Sequence, residues 1–201
     1  MFFLLRPRML LAVLLVVFAS SAINVLGAER LPRPKSESLK QAVKDIQEAY
    51  QQEYEQADQG IEQKQILAEN LIEAAGNESD PIIQFALLKE AINLQAAAQL
   101  AEALVETTDT MSQRFEIDGM KIKVHFLKQI AADTKKKNTE SRTVEAIQSV
   151  VDQAISTDQY AIALELLAAV AAMGERIRDQ KLVREYDKLA DTTRAEGILF
   201  R

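Results

Sequence analysis

Residues 80–97 read DPIIQFALLKEAINLQAA, and this stretch decides the fold. Asp80 carries a short carboxylate able to accept hydrogen bonds from the free amides of a first helical turn. Pro81 fits the first helical position, where its missing N–H costs nothing. Ile83, Leu87, Ala91 and Leu94 then recur at three- and four-residue steps, which places them on one face of a helix running to about residue 97. The residues between them, chiefly Ala, Leu, Gln, Lys and Glu, lose little on entering a helix. A turn near Ala98-Gln99 leads into a partner helix over residues 100–115.

The same logic extends in both directions. Towards the C-terminus, Asp118-Gly119 opens a helix reaching about residue 134. Met120, Val124, Leu127 and Ala131 line one side of it, and Ile122, Phe126 and Ile130 widen that side. Lys135-Lys136-Lys137-Asn138 closes it, since cations are favourable at a helix C-terminus. Residues 142–155 follow, with Val144, Ile147, Val151 and Ala154 inward, and Thr157-Asp158 turns the chain. Residues 160–172 are apolar on nearly every side, Glu165 being the single charge, and are expected to form the most buried helix. Asp179 caps a last helix carrying Leu182, Tyr186 and Leu189.

Towards the N-terminus, Leu39, Val43, Ile46, Tyr50, Tyr54 and Ala57 form one stripe, and Ile61, Leu67, Leu71 and Ala74 another. Gly60 stands between them, so residues 39–75 are either two helices or one kinked helix, with 58–63 as the break. Ala75-Gly76-Asn77 reads as a helix end, Gly76 or Asn77 taking a left-handed conformation. The expectation is an all-α chain of about seven helices, arranged as stacked antiparallel pairs. Scarce glycine (6) and proline (4) agree with long uninterrupted helices, and the absence of cysteine excludes disulfides and zinc–thiolate sites. A faint echo supports stacking: Glu90-Ala91-Ile92 before one turn and Ala103-Leu104 after it resemble Gln153-Ala154-Ile155 and Ala163-Leu164, about 60 residues on.

Residues 1–27 are of another kind. Arg6 and Arg8 precede an apolar run over 9–18, and small residues follow through Ala22 and Val25-Leu26-Gly27. This is the layout of a secretory signal peptide, cleaved after Ala22 or Gly27; the alternative is an inner-membrane anchor over residues 9–27. The organisation expected is a signal segment (1–27), a proline-containing linker (28–38), a helical-repeat domain (39–195) and a tail (196–201), in a periplasmic or extracellular protein. The whole chain carries a net charge of −6, and the leader holds two arginines and no acid, so the remainder is more acidic still. Such a charge argues against nucleic acid as a partner.

Three stretches carry a family resemblance: Ala68-Glu69-Asn70-Leu71-Ile72 followed by Asp80-Pro81 and Phe85-Ala86-Leu87-Leu88-Lys89-Glu90-Ala91; Arg114-Phe115-Glu116-Ile117-Asp118; and Asp158-Gln159-Tyr160-Ala161-Ile162-Ala163-Leu164. Together, over roughly residues 50–191, they resemble the tetratricopeptide-like helical-repeat region of secreted bacterial proteins. Ala98-Gln99-Leu100 departs from that pattern, which usually has Gly-Asp. The resemblance implies a solenoid of helix pairs with a groove for a protein or peptide partner, and it brings no catalytic residue.

Side chains able to do chemistry are few. His125 is the lone histidine and falls with Lys121, Gln129 and Ala132, opposite the apolar stripe, so a surface role is expected. Glu116 and Asp118 are the nearest thing to a paired acid and base, but Asp80, Asp118, Asp158 and Asp179 all precede helices, where capping accounts for them. Lys121, Lys123, Lys128, Lys135, Lys136 and Lys137 make a basic cluster that could meet an anionic partner, solubility being the simpler explanation. Asn77-Glu78-Ser79 is a glycosylation sequon of consequence only in a eukaryotic secretory pathway. Tyr50 and Tyr54 could be binding aromatics or core. No calcium loop, phosphate loop or nucleophile elbow occurs. The expectation is therefore a non-catalytic scaffold, without cofactor or metal. The alternative is a coiled-coil oligomerisation protein dimerising through residues 39–57.

Overall fold

The computed structural model describes residues 29–134 and 137–199. The leader (1–27), Lys135 and Lys136 lie outside the described residues. Among the described residues there are nine α-helical segments: α1 (Ser36–Ala49), α2 (Gln51–Ala57), α3 (Ile61–Asn77), α4 (Pro81–Ala97), α5 (Ala101–Arg114), α6 (Gly119–Asp133), α7 (Lys137–Ser156), α8 (Tyr160–Ile177) and α9 (Gln180–Leu199). The chain is all-α among these residues, and no described helix is long and apolar enough to cross a membrane. Sequential helices pack on each other, most extensively α3 on α4 and α8 on α9. Contacts that skip one helix join α4 to α6, α5 to α7 and α6 to α8, and α1 lies on α4.

The count of seven is corrected to nine, mostly at the N-terminal end. The chain kinks at Tyr50 (φ −107°, ψ 26°), yet the ladder continues across it, Tyr50 N–H bonding Ile46 and Tyr54 N–H bonding Tyr50. The true break is Asp58 to Gly60. Downstream, α7 starts at Lys137, so Lys137 opens that helix instead of closing α6. α9 continues through Leu199 and absorbs much of the expected tail. The linker is also more structured than its prolines imply. Leu31 donates its N–H to Arg114 O (2.8 Å) and accepts from Glu116 N–H (2.8 Å), so the packed unit begins at Leu31.

Burial differs from the periodicity in instructive ways. The most enclosed helix is α4, not α8, because α4 is packed by α1, α3, α5 and α6. Phe85, Ala86, Leu87, Leu88, Ala91 and Ile92 are all buried, whereas Ile83 at its open end is 37% exposed. α8 turns Ala161, Ala168 and Ala172 outward instead, and an exposed methyl group forfeits little hydrophobic stabilisation. Ile61, expected on the inner stripe of α3, is 58% exposed.

α3 ends without a left-handed residue. Glu78 is extended, and its carboxylate accepts the N–H groups of Ser79 (2.7 Å) and Asp80 (2.8 Å). Left-handed residues occur instead at Gln99 (φ 59°), Asp158 (φ 57°) and Arg178 (φ 60°). Each lies just past a helix, and the next amide bonds the carbonyl five residues before it: Leu100 N–H to Gln95 O (2.9 Å), Gln159 N–H to Ala154 O (2.8 Å) and Asp179 N–H to Gly174 O (2.8 Å). This six-to-one bond defines a Schellman end. Gln99, Asp158 and Arg178 thus share one turn geometry. An L-residue in this conformation costs about 1 kcal/mol relative to glycine. Arg178→Gly, at an exposed site, is accordingly expected to raise stability by about 1 kcal/mol, read as a higher urea midpoint at unchanged slope.

Candidate functional site

Three of the four candidate aspartates cap helices. Asp80 Oδ1 accepts from the amides of Ile82 (2.7 Å) and Ile83 (3.4 Å), Asp118 Oδ1 from Lys121 (3.1 Å), and Asp179 Oδ1 from Lys181 and Leu182 (3.0 Å each). Asp158 is the exception: it occupies the left-handed turn position, and Gln159 stands at the cap of α8. The Lys121 amide, helped by the Lys121 ammonium at 3.1 Å, holds the Asp118 carboxyl below the usual carboxylate range. That engagement suits a cap and opposes service as a proton donor. Asp118 and Glu116 stand with Arg33, Lys89 and Lys121 at the mouth of a cavity of about 410 Å³ floored by Phe85, Ile92 and Met111.

His125 is exposed on α6, edge-on to Phe126 (ring centroids 4.9 Å). It shares a shallow cleft with Lys121, Lys128 and Glu165, and the last two are ion-paired. Among the described residues no three His, Asp or Glu side chains stand close enough to hold a metal ion.

Within the basic cluster, Lys123 does not share the exposed surface of Lys121 and Lys128. Lys123 is only 1% exposed. Its ammonium lies 2.6 Å from Asp109 Oδ1 on α5 and donates to Gln153 Oε1 on α7 (3.0 Å), joining three helices. The sequence held a signal for this: Lys123 stands one turn before Leu127 and two before Ile130, on the face those residues bury.

Tyr54 belongs to a second polar knot. Its hydroxyl donates to Glu90 Oε2 (3.2 Å), which also accepts from Gln47 (3.1 Å), while Lys89 (3.2 Å) and Asn93 (3.1 Å) satisfy Oε1. Burial, then the charge of Glu90, pushes the Tyr54 phenol well above its ordinary value. This tyrosine is a strut between α2 and α4.

Tyr50 instead borders an open groove of about 490 Å³. One wall is the α1 face bearing Ser38, Ala42, Asp45, Ile46 and Ala49. The other is the end of α3 and the first turns of α4, with Ala74, Glu78, Asp80, Ile82 and Ile83. The groove exists because α1 and α3 both lie on α4 but scarcely touch one another. Its floor is apolar, and its one exposed large apolar side chain is Ile83. Sequence periodicity missed this site because it assigned Ile83 to the core. Asn77 of the sequon is exposed nearby in sequence, its amide donating to Glu73 O (3.1 Å).

The chain matches no family model, no curated protein and no solved structure.

Proposed function

We propose that this protein is a non-catalytic helical scaffold that holds a protein or peptide partner in the cell envelope or outside the cell. The observation that carries this reading is the groove bordered by α1, the end of α3 and the start of α4, an apolar channel open to solvent at Ile83. Concave apolar surfaces between packed helices suit the capture of a peptide or helix. The tetratricopeptide-like solenoid is part of the same proposal, supported by the recurrent Schellman ends and by the contacts that skip one helix. Export rests on the arrangement of residues 1–27.

The coiled-coil alternative is less favoured. The stripe it would use is turned inward, Leu39 and Ile46 being buried where α1 packs on α4.

The test is a photo-crosslinking amino acid placed at Ile83 and, as a control, at exposed Lys188 on α9. Illumination of cells is expected to give a discrete heavier band from position 83 and none from 188. No band from 83, or the same bands from both, would sink the reading.

A further inference from the structure

The groove described above also specifies the chemistry of its occupant, an inference that rests on the scaffold reading. We infer that it takes an amphipathic, positively charged helix of about three turns, supplied by another protein. Three features argue for this occupant.

The first is length. The α1 residues lining the groove run from Ser38 to Tyr50 at three- and four-residue spacing. At about 1.5 Å per residue this is a channel of roughly 18 Å, the length of a twelve-residue helix.

The second is the layer itself. α1 and α3 both rest on α4, so a helix laid in the groove would meet α1 on one side, Ala74 of α3 and the first turns of α4 on the other, and Leu87 beneath. Ala42, Ala49 and Ala74 leave the walls low, which lets a backbone approach closely. Ile46, Ile82 and Ile83 offer apolar contact to anchors spaced i, i+4, i+7.

The third is charge. The polar rim holds Asp45, Glu78 and Asp80, and among the described residues no lysine, arginine or histidine lines the groove. Their present partners are neutral: Gln41 donates to Asp45 (2.7 Å), and backbone amides donate to Glu78 and Asp80. Three carboxylates without a cation favour lysines or arginines flanking the anchors, and they disfavour an acidic ligand.

The experiment is fluorescence anisotropy with the full chain and a labelled fourteen-residue peptide bearing leucines at i, i+4, i+7 and i+11 and lysines elsewhere on its polar face. A second peptide has every lysine replaced by glutamate. The basic peptide is expected to bind, to weaken several-fold between about 50 and 300 mM salt, and to weaken at least ten-fold against Ile83→Glu and several-fold against Asp45→Lys. Both substitutions are at exposed positions, and circular dichroism verifies that each variant keeps its helix content. Equal binding by the glutamate peptide would overturn the charge inference. Undiminished binding to Ile83→Glu would overturn the site. Sedimentation of the peptide-free chain as a dimer that Ile83→Glu dissociates would make a second copy the occupant and overturn the basic-helix assignment. Failure of the basic peptide with a retained crosslink from position 83 would overturn this inference and leave the scaffold reading standing; loss of both would remove both.

Discussion

Phe115→Ala is expected to cost about 3–5 kcal/mol of unfolding free energy, the range for emptying a buried phenylalanine site. Phe115 is fully buried, and its ring stands edge-on to Phe85 at 5.0 Å with an 84° interplanar angle. That geometry adds about 0.5–1.5 kcal/mol beyond burial. The residue also sits where Leu31 is bonded on either side of it, through Arg114 O and Glu116 N–H. Loss of the ring should therefore loosen the N-terminal strap as well as the α4–α5 contact. Because a domain of this size is stable by only about 5–15 kcal/mol, the variant should lose a large share of its stability. Urea denaturation followed by circular dichroism measures the loss, and faster hydrogen exchange at the Leu31 amide reports the strap. A cost under 1 kcal/mol would show that α4, α5 and the strap do not share a core at this position. Phe115→Leu, which keeps most of the volume, should lose far less.

The second large effect concerns the buried cation. Asp109→Ala removes the carboxylate beside Lys123 and leaves an ammonium almost without solvent, held by Gln153 alone. Breaking a fully buried pair from one side costs about 3–5 kcal/mol. The Asp109 side chain is 43% exposed, so water can enter and the expected loss is nearer 2 kcal/mol. Lys123→Met removes the charge but keeps the length of the side chain, and should be within about 1 kcal/mol of the parent. The informative quantity is the order: the variant that leaves the lysine should be the less stable one, and Asp109→Ala combined with Lys123→Met should recover most of the difference. If Lys123→Met were the worse of the two single variants, Lys123 would not be the cost-bearing charge that its burial implies.

The two sites differ in how readable they were. Phe115 lies in a stretch, Arg114 to Asp118, that stood out in the sequence as the start of a helix, and the structure places a helix end and a helix start around it. The helix boundaries at Asp80-Pro81, Asp118-Gly119 and Asp179 were equally local. A capping carboxylate and the amides it serves lie within three residues of each other, so the sequence contains the whole interaction. The same holds for the turns at Ala98-Gln99 and Thr157-Asp158. Their shared Schellman geometry was not legible, because a left-handed glutamine or aspartate looks like any other.

By itself, then, the amino-acid order determined that the described chain is helical, where most of its helices start, and which residue types could not supply thiol or multi-histidine chemistry. Each of those follows from composition or from contacts a few residues apart. Tertiary structure decided that α4 and not α8 lies deepest, that Lys123 is buried against Asp109, that Tyr54 serves Glu90, and that Ile83 faces an open groove while Leu87 one turn later lies beneath it. These depend on which helix comes to rest on which face. Periodicity gives each helix an apolar side but does not name the neighbour that covers it, nor reveal that α1 and α3 would settle on α4 and leave an open groove.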